Sequence, residues 1–132
     1  MSKERIVVVA PGRGSYSREN TGTLNQNSSS IKSQLSLIDS KRKSLQQLTI
    51  TQLDKLNFKS NLHMAGENAS PLIYACSLAD FHSINKHKYE VVAITGNSMG
   101  WYTALALANS LNEEHSFHLI QSMGSMMKEK LI

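Results

Sequence analysis

The chain has 132 residues, 40% of them hydrophobic, which is enough for one modest domain with its own core and too little for two ordinary ones. Its formal net charge of +4 is scattered apart from Lys41-Arg42-Lys43, which reads as a solvated helix face, so no nucleic-acid footprint stands out. One cysteine, Cys76, excludes an internal disulfide and suits a reducing compartment, with the cytoplasm as the expected location.

The first element is a strand. Arg5 to Ala10 is a β-branched run ended by Pro11-Gly12, the pattern of a strand buried on both faces and followed by a loop. That run is far shorter than the ~20 apolar residues of a membrane span, so neither secretion nor membrane insertion is expected. Asn27-Ser28-Ser29 and Asn68-Ala69-Ser70 match the glycosylation acceptor pattern, but without a secretory signal they read as loop polarity. Residues 12–30 are rich in Gly, Ser, Asn and Thr and are predicted to form a flexible loop. Leu35, Ile38, Leu45, Leu48, Leu53 and Leu56 fall near helical spacing, predicting one or two amphipathic helices between Ile31 and Leu56.

Ser70 as N-cap and Pro71 at the first helical position open an apolar, nearly all-buried helix running to about Ile84. A second β-branched run, Tyr89 to Thr95, passes through Gly96-Asn97-Ser98-Met99-Gly100 into the helical pattern Trp101 to Ala108. A last helix, from about Asn112 to Leu131, has Asn112 as its cap, Glu113 and Glu114 in its first turn, and Phe117, Ile120, Met123 and Met127 on one face. Strands alternating with helices predict an α/β fold with a parallel sheet. Two strands alone make a poor sheet, so the expected architecture is a partial one, with strands missing.

The chemistry concentrates at Ser98. A G-x-S-x-G pattern between a buried strand and an apolar helix is the setting of a nucleophile elbow, where a sharp turn lifts the serine hydroxyl above the sheet edge. The following helix then aims backbone N–H groups, that of Met99 first, at the place where an oxyanion forms.

Gly96-Asn97-Ser98-Met99-Gly100-Trp101-Tyr102-Thr103-Ala104-Leu105 resembles the G-H-S-x-G-E-Y-x-A-L signature of malonyl-CoA:acyl-carrier-protein transacylases. Pro11-Gly12-Arg13-Gly14-Ser15 resembles the P-G-Q-G-S loop of the same family. The resemblance runs over essentially the whole chain. It implies an α/β-hydrolase-like acyltransferase core, of which residues 1–132 would form the N-terminal portion. It also implies Ser98 as nucleophile, the Arg13 and Met99 N–H groups as oxyanion donors, a coenzyme A thioester as substrate, and acyl carrier protein as acceptor. No bound cofactor, metal, nucleic acid or membrane is expected, and the pathway would be fatty-acid or polyketide synthesis.

The departures bear on substrate and activity. Asn97 and Trp101 replace the family histidine and glutamate around Ser98. Met123 stands where the family has the arginine that clamps a malonyl carboxylate, and a thioether cannot make that bidentate contact; an uncharged acyl group is therefore as plausible as malonyl. The family's catalytic histidine comes from further downstream, and none of His63, His82, His87, His115 and His118 matches its motif. All five are expected at the surface or a boundary, and the chain alone is expected to be a weak or inactive catalyst. Two alternatives stay open: a serine thioesterase or esterase, and a non-catalytic module that binds an acyl chain or carrier protein.

Overall fold

The structure, a computed structural model, describes residues 2–129. Strand β1 (Glu4–Ala10) is followed by α1 (Thr23–Asn27), α2 (Lys32–Ser44), α3 (Ile50–Lys55), α4 (Ser60–His63) and α5 (Gly66–His82), then β2 (Tyr89–Gly96), α6 (Gly100–Leu107) and α7 (Glu113–Glu129). The fold is mixed α/β, with one parallel two-stranded sheet among the described residues. The helices between the strands return the chain, as parallel pairing requires. The register runs from Glu4 opposite Tyr89 to Ala10 opposite Gly96, with an irregularity between Ile6 and Val7. Parallel pairing brings the C-terminal ends of both strands to one edge, where the loop after Ala10 and the turn after Gly96 meet.

Helix α5 is the centre of the core: twelve of its seventeen residues are buried, Leu72 and Ala75 completely. It lies along α7 and touches α1, α3 and α6, while α6 covers both strands. A fully buried leucine or isoleucine contributes about 1.5–3 kcal/mol, so Leu72, Ile50, Leu53 and Ile120, all essentially without exposure, supply much of the packing.

Several sequence-based expectations need correction. Strand β1 is not buried on both faces: Val7 is 56% and Val9 62% exposed while Ile6 and Val8 are half-buried, because the helices cover one side only. Helix α5 does not start at Ser70 and Pro71; it starts at Gly66 and carries Pro71 inside. A proline there leaves the carbonyl four residues earlier without its helical donor, and that carbonyl, of Glu67, accepts instead from Arg42 Nη1 at 2.8 Å and Gln121 Nε2 at 2.9 Å. Arg42 is therefore not on a solvated face. It is fully buried, and its guanidinium also donates to the Leu48 carbonyl (2.7 Å), Gln121 Oε1 (2.6 Å) and Asn68 Oδ1 (2.6 Å). Burial lowers its pKa to about 10, so it stays charged at neutral pH. Asn68, read above as loop polarity, is buried inside α5 as part of this knot.

The segment 12–30 contains α1 and two single-turn 3-10 helices rather than a structureless loop. Asp54 on α3, with no exposed surface, holds it: its carboxylate accepts from the Tyr16 hydroxyl (2.8 Å), the Gly22 N–H (3.2 Å), the Asn25 N–H (2.9 Å) and Asn25 Nδ2 (2.8 Å). Helices α2 and α3 lie within Ile31–Leu56 as predicted, with Leu35, Ile38 and Leu53 on their buried faces, but Leu45, Leu48 and Leu56 fall outside both helices and are exposed. Asn112 caps α7 as expected, accepting the His115 N–H at 2.8 Å. The predicted end of that helix at Leu131 lies outside the described residues.

Candidate functional site at Ser98

Between β2 and α6 the chain turns in three residues, Asn97 to Met99. Ser98 takes φ +56°, the left-handed region that a non-glycine residue occupies at a cost and that recurs at functional turns. The turn is closed by hydrogen bonds from Gly100 to Asn97 (2.9 Å), Trp101 to Ser98 (3.1 Å) and Tyr102 to Met99 (3.0 Å). These use carbonyls and leave the N–H groups of Ser98 and Met99 without an acceptor among the described residues. The flanking glycines are needed for close approach. A Cβ at Gly96 would run into the Gly100 backbone, and one at Gly100 into the Ala10 carbonyl. Ser98 is exposed, and no hydrogen bond restrains its hydroxyl among the described residues.

The loop after β1 lies directly against this turn. Asn97 N–H donates to the Ala10 carbonyl at 3.0 Å, and a Cβ added at Gly12 would lie 2.8 Å from the Asn97 oxygen and 3.2 Å from Ser98 Cβ. Arg13, the next residue, borders a cavity of about 310 Å³ together with Ser98, Met99 and Met123. All four residues singled out in the sequence therefore meet at one site. The elements that bring them there are the C-terminal edge of the sheet, which supplies Arg13, Ser98 and Met99, and α7, which carries Met123 across the opening.

Sequence reasoning missed other walls of the cavity. Ile120 and Met127 share it with Met123; their spacing on α7 was visible, but it reads equally well as core packing. Ser70, taken for a helix cap, is buried in α5 and faces the same space, as does Tyr102 on α6. Gly124 borders the cavity where α7 crosses α5 so closely that a Cβ there would strike the Gly66 carbonyl.

No histidine lines this cavity. His82, His87, His115 and His118 are exposed, as expected. His63 is not a surface residue: it is fully buried, stacked between Tyr16 and Phe58. Its Nε2 lies 2.8 Å from the Leu53 carbonyl and its Nδ1 accepts the Lys59 N–H at 3.0 Å, so Nε2 carries the ring proton and both nitrogens are occupied by the fold. Asn97 and Trp101, the two departures beside the serine, are both exposed.

Among the described residues no group of three or more His, Cys, Asp or Glu could hold a metal ion, and no helix is long and apolar enough to cross a membrane. The chain matches no protein-family model and no curated protein.

Proposed function

We propose that the chain is part of a cytoplasmic acyltransferase that carries an acyl group on Ser98, with the β2–turn–α6 unit serving as the nucleophile elbow of an α/β-hydrolase-like core. The observation that carries this reading is Ser98 held at positive φ between a strand and a helix, at a cavity it shares with Arg13, Met99 and Met123. In the reaction Ser98 Oγ attacks the carbonyl carbon of an acyl-CoA thioester. The C–S bond breaks, coenzyme A leaves as the thiol with the serine proton, and the phosphopantetheine thiol of acyl carrier protein then takes the acyl group by the reverse steps. The N–H groups of Met99 and Arg13 would stabilise the tetrahedral oxyanion; losing one such donor typically slows acyl transfer about 10²–10³-fold.

With no histidine lining the cavity, Ser98 keeps an unactivated hydroxyl, so acylation by this chain alone is expected to be slow. The test is intact-protein mass spectrometry after prolonged incubation with acetyl-CoA or malonyl-CoA. An acyl adduct should accumulate over hours and vanish in Ser98→Ala. A folded sample that never acquires it would sink the transfer reading. The second reading, a non-catalytic module for an acyl chain or carrier protein, is favoured by the same lack of a nearby base, and retained acyl-CoA binding without an adduct would establish it.

A further inference from the structure

The walls of the Ser98 cavity limit the kind of acyl group it can hold. Beside the serine, α7 contributes Ile120, Met123 and Met127 to the lining, α6 adds Tyr102 and α5 the hydroxyl of Ser70. Among the described residues the only charged side chain on the lining is that of Arg13, which is solvent-exposed. A carboxylate placed among these side chains would lose water without gaining a buried cation, which disfavours it. An alkyl chain would instead gain from burial, and the unbranched, polarisable methionines adapt to its shape.

We propose that the acyl group accepted at Ser98 is an uncharged aliphatic chain lying along Ile120, Met123 and Met127, and that Met123 sets this preference against carboxylate-bearing acyl groups. The inference rests on the reading of Ser98 as the acyl-carrying nucleophile. A volume of about 310 Å³ is at the small end of ligand pockets, which suits a chain of short to medium length better than a long fatty acyl tail.

The test separates binding from chemistry. Ser98→Ala, which cannot be acylated, is titrated calorimetrically with octanoyl-CoA, malonyl-CoA and free coenzyme A, the last giving the contribution of the nucleotide portion. Octanoyl-CoA should bind at least tenfold more tightly than malonyl-CoA or coenzyme A. Adding Met123→Arg should erase that margin, and Met123→Leu, which keeps the wall apolar, should preserve it. Equal binding of octanoyl-CoA and malonyl-CoA overturns the proposal. So does octanoyl-CoA binding no better than coenzyme A, or a folded Met123→Arg protein with its preference unchanged. An octanoyl preference without any adduct on the wild-type chain rejects acyl transfer and leaves the apolar acyl site standing. A Ser98 adduct forming from malonyl-CoA as fast as from octanoyl-CoA rejects the site's selectivity and leaves the transfer reading.

Discussion

At Ser98 a left-handed backbone conformation is imposed on a residue with a Cβ, which costs about 1 kcal/mol relative to glycine. Ser98→Gly is therefore expected to raise stability by roughly that amount, seen as a higher urea midpoint, while abolishing the adduct; an unchanged or lower midpoint would contradict strain in the turn. Cys76 behaves in the opposite sense to a nucleophile. It lines a separate cavity of about 280 Å³ with Tyr16 and Asp80, and burial pushes its thiol from 9.0 up to about 12. The unfolded thiol ionises near its ordinary value while the folded one stays protonated, so above that pH the unfolded state binds fewer protons and stability falls as pH rises from 9 towards 12. Tyr74, raised from 10.0 to about 12 by burial, adds to the loss above pH 10. The melting temperature should drop across this window, and Cys76→Ala should remove the part that begins near pH 9; a wild-type profile flat from pH 9 to 10.5 would count against this. That Ser98, Arg13 and Met99 lie at one cavity could be anticipated because each follows a strand end within a short motif. The burial of Arg42 and His63 could not, since a basic run or a lone histidine looks the same in sequence whether water or a distant carbonyl satisfies it. The acceptors of Arg42 stand between 6 and 79 positions away.

Among the secondary elements, α5 depends on an unusual exchange of partners. Pro71 removes the N–H that Glu67 would otherwise receive, and Arg42 from α2 and Gln121 from α7 take its place. Arg42→Met would leave the Leu48 and Glu67 carbonyls and the Asn68 and Gln121 side chains short of a donor, a loss expected to cost about 3–5 kcal/mol. In a Pro71→Ala background the restored N–H can reach Glu67, so the same Arg42 substitution should cost about 1 kcal/mol less. Urea denaturation of the four members of the cycle measures that difference, and strict additivity would show that the proline and the arginine are unrelated. The rule that proline marks a first helical turn fails here because a residue remote in sequence supplies the missing donor. The cap of α7 was legible because Asn112 and the His115 N–H are three residues apart. The β2–turn–α6 unit was legible for a similar reason: strand, glycines and helix follow one another without interruption.

Across the whole molecule, the helices lie on one side of a two-stranded sheet, and Val7 and Val9 stand exposed on the other. Neither strand has a second neighbour among the described residues, so both edges offer unpaired backbone groups beside an apolar surface. The purified chain is expected to self-associate at tens of micromolar, roughly the range where such surfaces begin to act, and Val9→Lys should shift sedimentation velocity profiles towards the monomer. A wild-type chain that is monodisperse and monomeric at that concentration would contradict this. Parallel pairing of two β-branched runs could be read from the sequence, whereas the open face could not, because a strand covered on both sides and one covered on a single side share the same run of valines. The knot around Arg42 also governs how the molecule comes apart. Its guanidinium is held jointly by residues before α3, within α5 and within α7, and withdrawing any one of them exposes a buried charge to incomplete solvation. The helices so joined cannot fray singly, whereas the open-faced strands can. Amide hydrogens of α2, α5 and α7 should consequently exchange with solvent in one shared opening event, while those of the sheet escape through smaller and more frequent ones.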